Sequence, residues 1–544
     1  MRYRSILGSR SILVLASGVF FPACALDEDI ASEAAPQSQA LTFAQHQTAC
    51  QADPRVQSGQ VSLTECVGGD IFFKETFNGN GRTCASCHRL ERNFTVDPPF
   101  IARLPANDAL FIAENTSDPF ALNDLERPAQ MRARSLILEN VDGTQPGGPN
   151  VRFVLRTVPH NLSMGVSVTN PPGTPNPPAE RTGWSGDGAP NQGRLADFTQ
   201  GAIGQHFTRS LNRTAGTDFR NATEQEGQAV GTYMRQLGRT NEVNLAAIGF
   251  SDAGANTGRQ RFLDVGCNGC HNNAGANTGG VNRNFNTNVE SARNAGLASF
   301  PRDGGFLQTP ANPDGSFGDL TFNSTPVIEA ADSGPFFHTD TTVSGAPAFN
   351  AGTANTIEQA TAFYATPAFA NRPGGNGQAL AINATDITNI GRFLRAINAI
   401  FNVQMASNRI IGARNMGNNL GNVARVDRMQ RRMAQMALFE LDDAIRVLSE
   451  VSNLNTTQAN RIRTARSRIE TVVNTTGTSA TAFNIRMQNF GDAFNDLDLA
   501  DTEIAANVAF NIGNGTRMDC ADPSADGQPA TAACFNFALR NRPN

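Results

Sequence analysis

Apolar positions recur at helical spacing in the last third of the chain. Ala437, Leu441, Ile445 and Leu448 follow one another at +4, +4, +3, and Ile462, Ala465, Ile469 and Val472 at +3, +4, +3. Turn-like breaks at 453–456 and 475–479 separate successive helices. The apolar period is too short-lived for a coiled coil. Upstream, strict alternation of β-branched residues is scarce. The Pro/Gly-rich stretches 144–150 and 170–180 and the Asn/Gly-rich run 272–288 read as loops, with proline fixing φ in the first two. The pattern predicts a mainly α protein with long irregular loops and a helical extension over 401–544.

The N-terminus follows a different rule. Arg2, Arg4 and Arg10 precede an apolar stretch from Ile12 to Phe21 that is too short for a stable membrane span, which reads as an export signal over 1–25. Ala23-Cys24-Ala25 fits small-x-small cleavage. The competing reading lipidates Cys24 after a poor lead-in, Phe21-Pro22-Ala23. The expected location is periplasmic or secreted, with an outer-membrane lipoprotein through Cys24 as the alternative. Residues 26–40 are polar and alanine-rich and read as a leader.

At 544 residues the chain exceeds one compact core, and 40% hydrophobic with 17% charged residues is globular. A net charge of −5 spread along the chain gives no reason to expect nucleic acid as a partner, and no later run is long enough to span a membrane. Nine cysteines decide more. With Cys24 in the signal, eight are left. Cys50 with Cys66 and Cys520 with Cys534 form two local pairs, expected to be disulfides in an oxidising compartment.

The other four lie in Cys84-Ala85-Ser86-Cys87-His88 and Cys267-Asn268-Gly269-Cys270-His271. A lone CxxC fits a redox dithiol or half a zinc site. Two copies, each ending in histidine, in a chain with an export signal, fit covalent haem instead. Two thiols one turn apart add to the haem vinyl groups, and the next imidazole binds iron. Cys84 and Cys87 with His88 would hold haem one, and Cys267 and Cys270 with His271 haem two. Four other histidines, His46, His160, His206 and His338, are available as sixth ligands, and for each the plain alternative is a satisfied or surface histidine. His46, near the leader, is the weakest candidate.

The segment Phe77-Asn78-Gly79-Asn80-Gly81-Arg82-Thr83 before the first motif resembles the bacterial dihaem cytochrome c peroxidase superfamily. Matching segments follow in order. Arg156-Thr157-Val158-Pro159 with Asn161 resembles its R-x-x-P…N element, and 184–188 with 195–203 its W-D-G…L-E-E-Q-A-x-G-P-I element over the open haem. Thr325-Pro326, Gly334-Pro335-Phe336-Phe337-His338 and Thr356-Ile357-Glu358-Gln359-Ala360 resemble its T-P…A-P-Y-x-H-D-G…T-L-E-E-A run, and 386–400 its closing helix. The resemblance covers about 75–400. It implies two cytochrome c-like haem domains, placed here at 41–248 and 249–400, ahead of the extension. Calcium between the domains is left open as a further cofactor.

Departures from that pattern change the expected chemistry. The first glutamate of L-E-E-Q-A is the acid–base group of the peroxidases, and Ala196 stands there, followed by Asp197 and Phe198. Alanine moves no proton in peroxide heterolysis. Asp197 takes the role only if the local helix is shifted. Trp184 and Phe198, together with the insertions and the C-terminal extension, look like the dihaem rubber oxygenases. That resemblance implies O2-dependent cleavage of an apolar polymer such as polyisoprene at haem one. Ordinary core packing is the plain alternative for both aromatics. The rival readings are a periplasmic peroxidase that takes H2O2 and electrons from a small donor protein, and an electron-transfer cytochrome with both haems closed.

For haem two, His338 stands first as sixth ligand because it is the only free histidine after the second motif and imidazole is the commonest strong ligand. Tyr364 follows closely. It lies at the end of the T-L-E-E-A helix, where the family places its ligand and where the superfamily's methylamine-pathway enzyme uses tyrosine. Met518 is third.

Overall fold

Helices joined by long loops build the computed structural model, and strands are few and short. The structure describes residues 40–111, 128–139, 154–168, 179–186, 193–210, 212–272, 282–298, 302–305, 318–346, 352–506, 511–513, 515 and 518–522. The signal segment with Cys24, most of the leader, the loop 144–150, Asp187, Gly188 and Cys534 lie outside these. All described residues belong to one compact unit.

The first part of the chain supplies α1 (Phe43–Gln51), α2 (Leu63–Lys74) and α3 (Cys84–Cys87), then a hairpin of β1 (Leu136–Glu139) and β2 (Val154–Thr157). The α4 helix (Leu195–Ala202) runs directly into a π-helical turn, Ile203–Phe207, and α5 (Glu224–Gln236) packs across α2. That crossing is close. A Cβ on Gly68 of α2 would stand 1.9 Å from the Ala229 carbonyl oxygen of α5, so only glycine fits. Cys50 of α1 and Cys66 of α2 are joined by a disulfide across a separation of 16 residues, stabilising this corner by ~3 kcal/mol. Cys520 is disulfide-bonded as well.

The second part supplies α6 (Ala253–Asp264), the short pair β3 (Asn284–Phe285) and β4 (Phe322–Asn323), and α7 (Ile357–Phe363). Next comes α8 (Ala384–Leu420), a helix of 37 residues capped by Asn383 and Asp386. It carries the expected closing helix and continues without a break past residue 400, so the anticipated border between haem domain and extension falls inside one helix. The reason is burial: Ile397, Ile400, Val403, Ile410 and Ala413 are all fully buried, so the apolar stripe never lapses.

The extension is α9 (Ala424–Ser449), α10 (Thr456–Asn474) and α11 (Ala480–Ile504), packed on α8 and on one another. Ala437, Leu441 and Leu448 are buried in α9, and Ile462, Ala465, Ile469 and Val472 in α10. Each buried Leu or Ile contributes ~1.5–3 kcal/mol, which fixes the faces these helices turn inward. A buried ion cluster ties the ends of the described chain together. Asp519 accepts from Arg55 at 2.6 Å and from Arg432 of α9 at 2.6 Å. No described helix is long and apolar enough to cross a membrane.

Candidate cofactor site

The first CxxCH motif is a single helical turn. Thr83 and Ser86 form a capping box at its start, and the His88 N–H donates to the Cys84 carbonyl at 3.0 Å to close it. This turn sets both thiols and the imidazole on one side. The ring of His88 is aimed by its other nitrogen: Nδ1–H donates to the Phe94 carbonyl at 2.8 Å, leaving Nε2 as the electron-pair donor. Burial first, and then the neighbouring His160, push the His88 pKa down to about 4, so the ring is neutral and able to bind metal. The carbonyl is presented by two successive left-handed residues, Asn93 at φ 55° and Phe94 at φ 58°. Such strain costs on the order of 1 kcal/mol or more per residue. Packing of the buried Phe94 ring against Phe72 and Phe73 holds it in place.

Cys84, Cys87 and His88 form one wall of a cavity of about 120 Å³. Leu195, Phe198, Thr199 and Ala202 of α4 form another wall, and Ile137, Glu139 and Arg156 of the hairpin a third. Trp184 completes it, with its indole N–H donating to the Thr157 carbonyl at 2.8 Å. Gly183, at φ 64°, leaves room for the Phe198 ring; a Cβ there would stand 3.1 Å from it. The two thiols are unbridged, and burial, then repulsion from Cys87, pushes Cys84 up to about 12. The residues present fit haem c: two unbridged thiols and a neutral imidazole beside a largely apolar cavity.

The expected distal residues separate. Trp184 and Phe198 reach this cavity. Asp197 does not line it, and its carboxylate instead accepts from the Arg194 backbone N–H at 2.6 Å and pairs with the Arg194 guanidinium, closing the start of α4. These hydrogen bonds hold its pKa below the usual carboxylate range. The register of α4 leaves Asp197 at the helix start and Phe198 on the cavity wall. Ala196 packs instead towards Gly227 and Gly231 of α5. Glu139, which the sequence did not single out, is the one carboxylate on the described walls, and Arg156 holds it at 3.0 Å. A polar residue at the end of a short strand gave no signal of that placement.

The second motif is a 3₁₀ turn, Cys267–Gly269, entered through Gly266 at φ 89°. His271 Nδ1–H donates to the Thr325 carbonyl at 2.9 Å, repeating the arrangement at His88, and Ser324 Oγ donates to the Cys270 carbonyl at 2.9 Å. Tyr364 ends α7 beside this motif. Burial, then the Cys270 and Cys267 thiols, raises its hydroxyl pKa. His338 is committed elsewhere. Its Nε2 is 2.7 Å from Glu290 Oε1, its ring stacks on Phe322 at 3.7 Å between centroids, and Trp184 lies edge-on at 6.4 Å. Met518 is buried beside Tyr233. His46 is bound to Asp70 at 2.8 Å, and His160 is not among the described cavity walls.

The strand β4 and the two residues after it link the sites. The Asn323 N–H donates to the Trp184 carbonyl at 2.9 Å, Ser324 bonds Cys270, and Thr325 bonds His271. Among the described residues, no group of three or more His, Cys, Asp or Glu side chains is arranged to hold a metal ion. Attachment of a haem through two thiols and one imidazole needs no such group. Compared with family models, characterised proteins and solved structures, the chain matches none.

Proposed function

We propose that the chain is an exported dihaem c-type oxidoreductase that cleaves an apolar, polymeric substrate such as polyisoprene with O2. The observation that carries this reading is the cavity that joins Cys84, Cys87 and His88 to Trp184 and Phe198 while α4 turns Asp197 away. Haem bound there supplies an iron that binds and activates dioxygen. Cys84 and Cys87 would hold it covalently, and His88, braced by Phe94, would bind its iron. Trp184, Phe198, Leu195 and Ile137 would exclude water and receive apolar chain. On the second motif, Cys267, Cys270 and His271 would hold the other haem, with Tyr364 rather than His338 as the further residue that would bind it, since Tyr364 lies beside the motif and Glu290 already engages His338. Through Asn323, Ser324 and Thr325 the β4 segment ties the wall of the first cavity to the second motif.

Glu139 favours a second reading, peroxide reduction, because it places a carboxylate on the cavity wall. Its pairing with Arg156 argues for a structural anion instead, since a carboxylate held by a cation is a poor proton carrier. Purified protein incubated with polyisoprene latex in air, beside an H2O2 assay with a reduced small cytochrome, separates the two. Carbonyl-ended fragments that require O2 support the oxygenase. Peroxide turnover without latex cleavage replaces it with the peroxidase.

A further inference from the structure

We propose that His206 is a ligand-binding residue of the first cavity, hydrogen-bonding a small anionic or oxygen ligand held there with His88. This rests on the haem reading above. After α4 the chain makes an i→i+5 turn, Ile203–Phe207, and both His206 and Phe207 join Leu195, Phe198 and Ala202 on the cavity wall. Such turns mark functional sites more often than chance. The backbone at His206 is clamped: Asn80 Nδ2 donates to its carbonyl at 3.0 Å, and the Asn80 N–H to that of Phe207 at 2.7 Å. The ring is thus placed on the wall, and its Nδ1 is sealed inside the protein, so the nitrogen able to meet a ligand in the cavity is Nε2.

Charge identifies what that ligand is. Arg82 shares the wall, and Arg82 and Arg213 both act on the ring. Cations at that end favour an anion or a partly negative oxygen over another cation. Of the other histidines, His46 and His338 are bound to carboxylates, and His160, whose Nδ1 is also buried without a partner, is not on the described walls.

The test is azide titration of the ferric protein, followed in the haem absorption bands, after the covalent haem content of each sample has been counted. His206→Ala should weaken azide binding by about tenfold, the size of one hydrogen bond. The azide-free spin state should not change, and His206→Gln, which keeps a donor, should recover most of the affinity. His206→Leu keeps the volume and carries the comparison if the alanine variant does not fold. Unchanged affinity in the apolar variants overturns the proposal. So does a low-spin to high-spin change before azide is added, because it would make His206 an iron ligand. Wild-type protein without covalent haem overturns the haem reading and this inference with it.

Discussion

The indole nitrogen of Trp184 donates to the carbonyl oxygen of Thr157 at 2.8 Å, and this bond fixes the aromatic wall of the first cavity to the β-hairpin. Trp184→Phe keeps an aromatic ring but removes the donor. Stability should fall by ~1 kcal/mol, and latex cleavage should fall by roughly tenfold or more because the wall loses its anchor. Denaturant titration and fragment yield per haem measure the two effects. Unchanged turnover would reduce Trp184 to packing.

Tyr364 and His338 make opposite predictions for haem two. With Glu290 holding His338 at 2.7 Å, Tyr364→Phe should turn ferric haem two high-spin and His338→Ala should not. Electron paramagnetic resonance reads this directly. The reverse pattern returns the ligand to His338.

Asp197 caps the start of α4 and does not line the first cavity. Asp197→Asn should cost no more than ~0.5–2 kcal/mol of stability and change turnover less than twofold. A hundredfold loss of activity in a folded variant would make it an acid–base group after all.

His46 gives the fold a pH dependence. Burial opposes its charge, but hydrogen bonds and charges from Asp70 and Glu75 outweigh burial and raise its pKa to about 9 from 6.5. A raised histidine stabilises fully below its unfolded pKa. That contribution, up to ~3 kcal/mol, is lost as pH rises from about 6.5 through 9. Urea midpoints should fall across that window in the wild type and fall less in His46→Asn. A flat wild-type profile would contradict the ion cluster.

Local patterns were legible in the sequence, and long-range ones were not. The breaks expected at 453–456 and 475–479 match the gaps between α9, α10 and α11, because turn residues act on their own backbone. The apolar stripes of α9 and α10 face inward as their spacing requires. The continuity of α8 past residue 400 was missed because its register holds while its packing partners change. Trp184 and Phe198 were placed together by resemblance to a family. Glu139 was invisible, since it reaches the cavity only through the pairing of β1 with β2 and the Arg156 ion pair. The partner of His338 was hidden for the same reason: Glu290 is 48 residues away.

The dihaem reading stands on covalent attachment at both motifs, and pyridine haemochrome analysis with acid–acetone extraction tests it most directly. The account predicts two haems per chain that resist extraction, one lost in a Cys84→Ala/Cys87→Ala variant and the other in Cys267→Ala/Cys270→Ala. Extractable haem, or fewer than two haems in the wild-type protein, would contradict it.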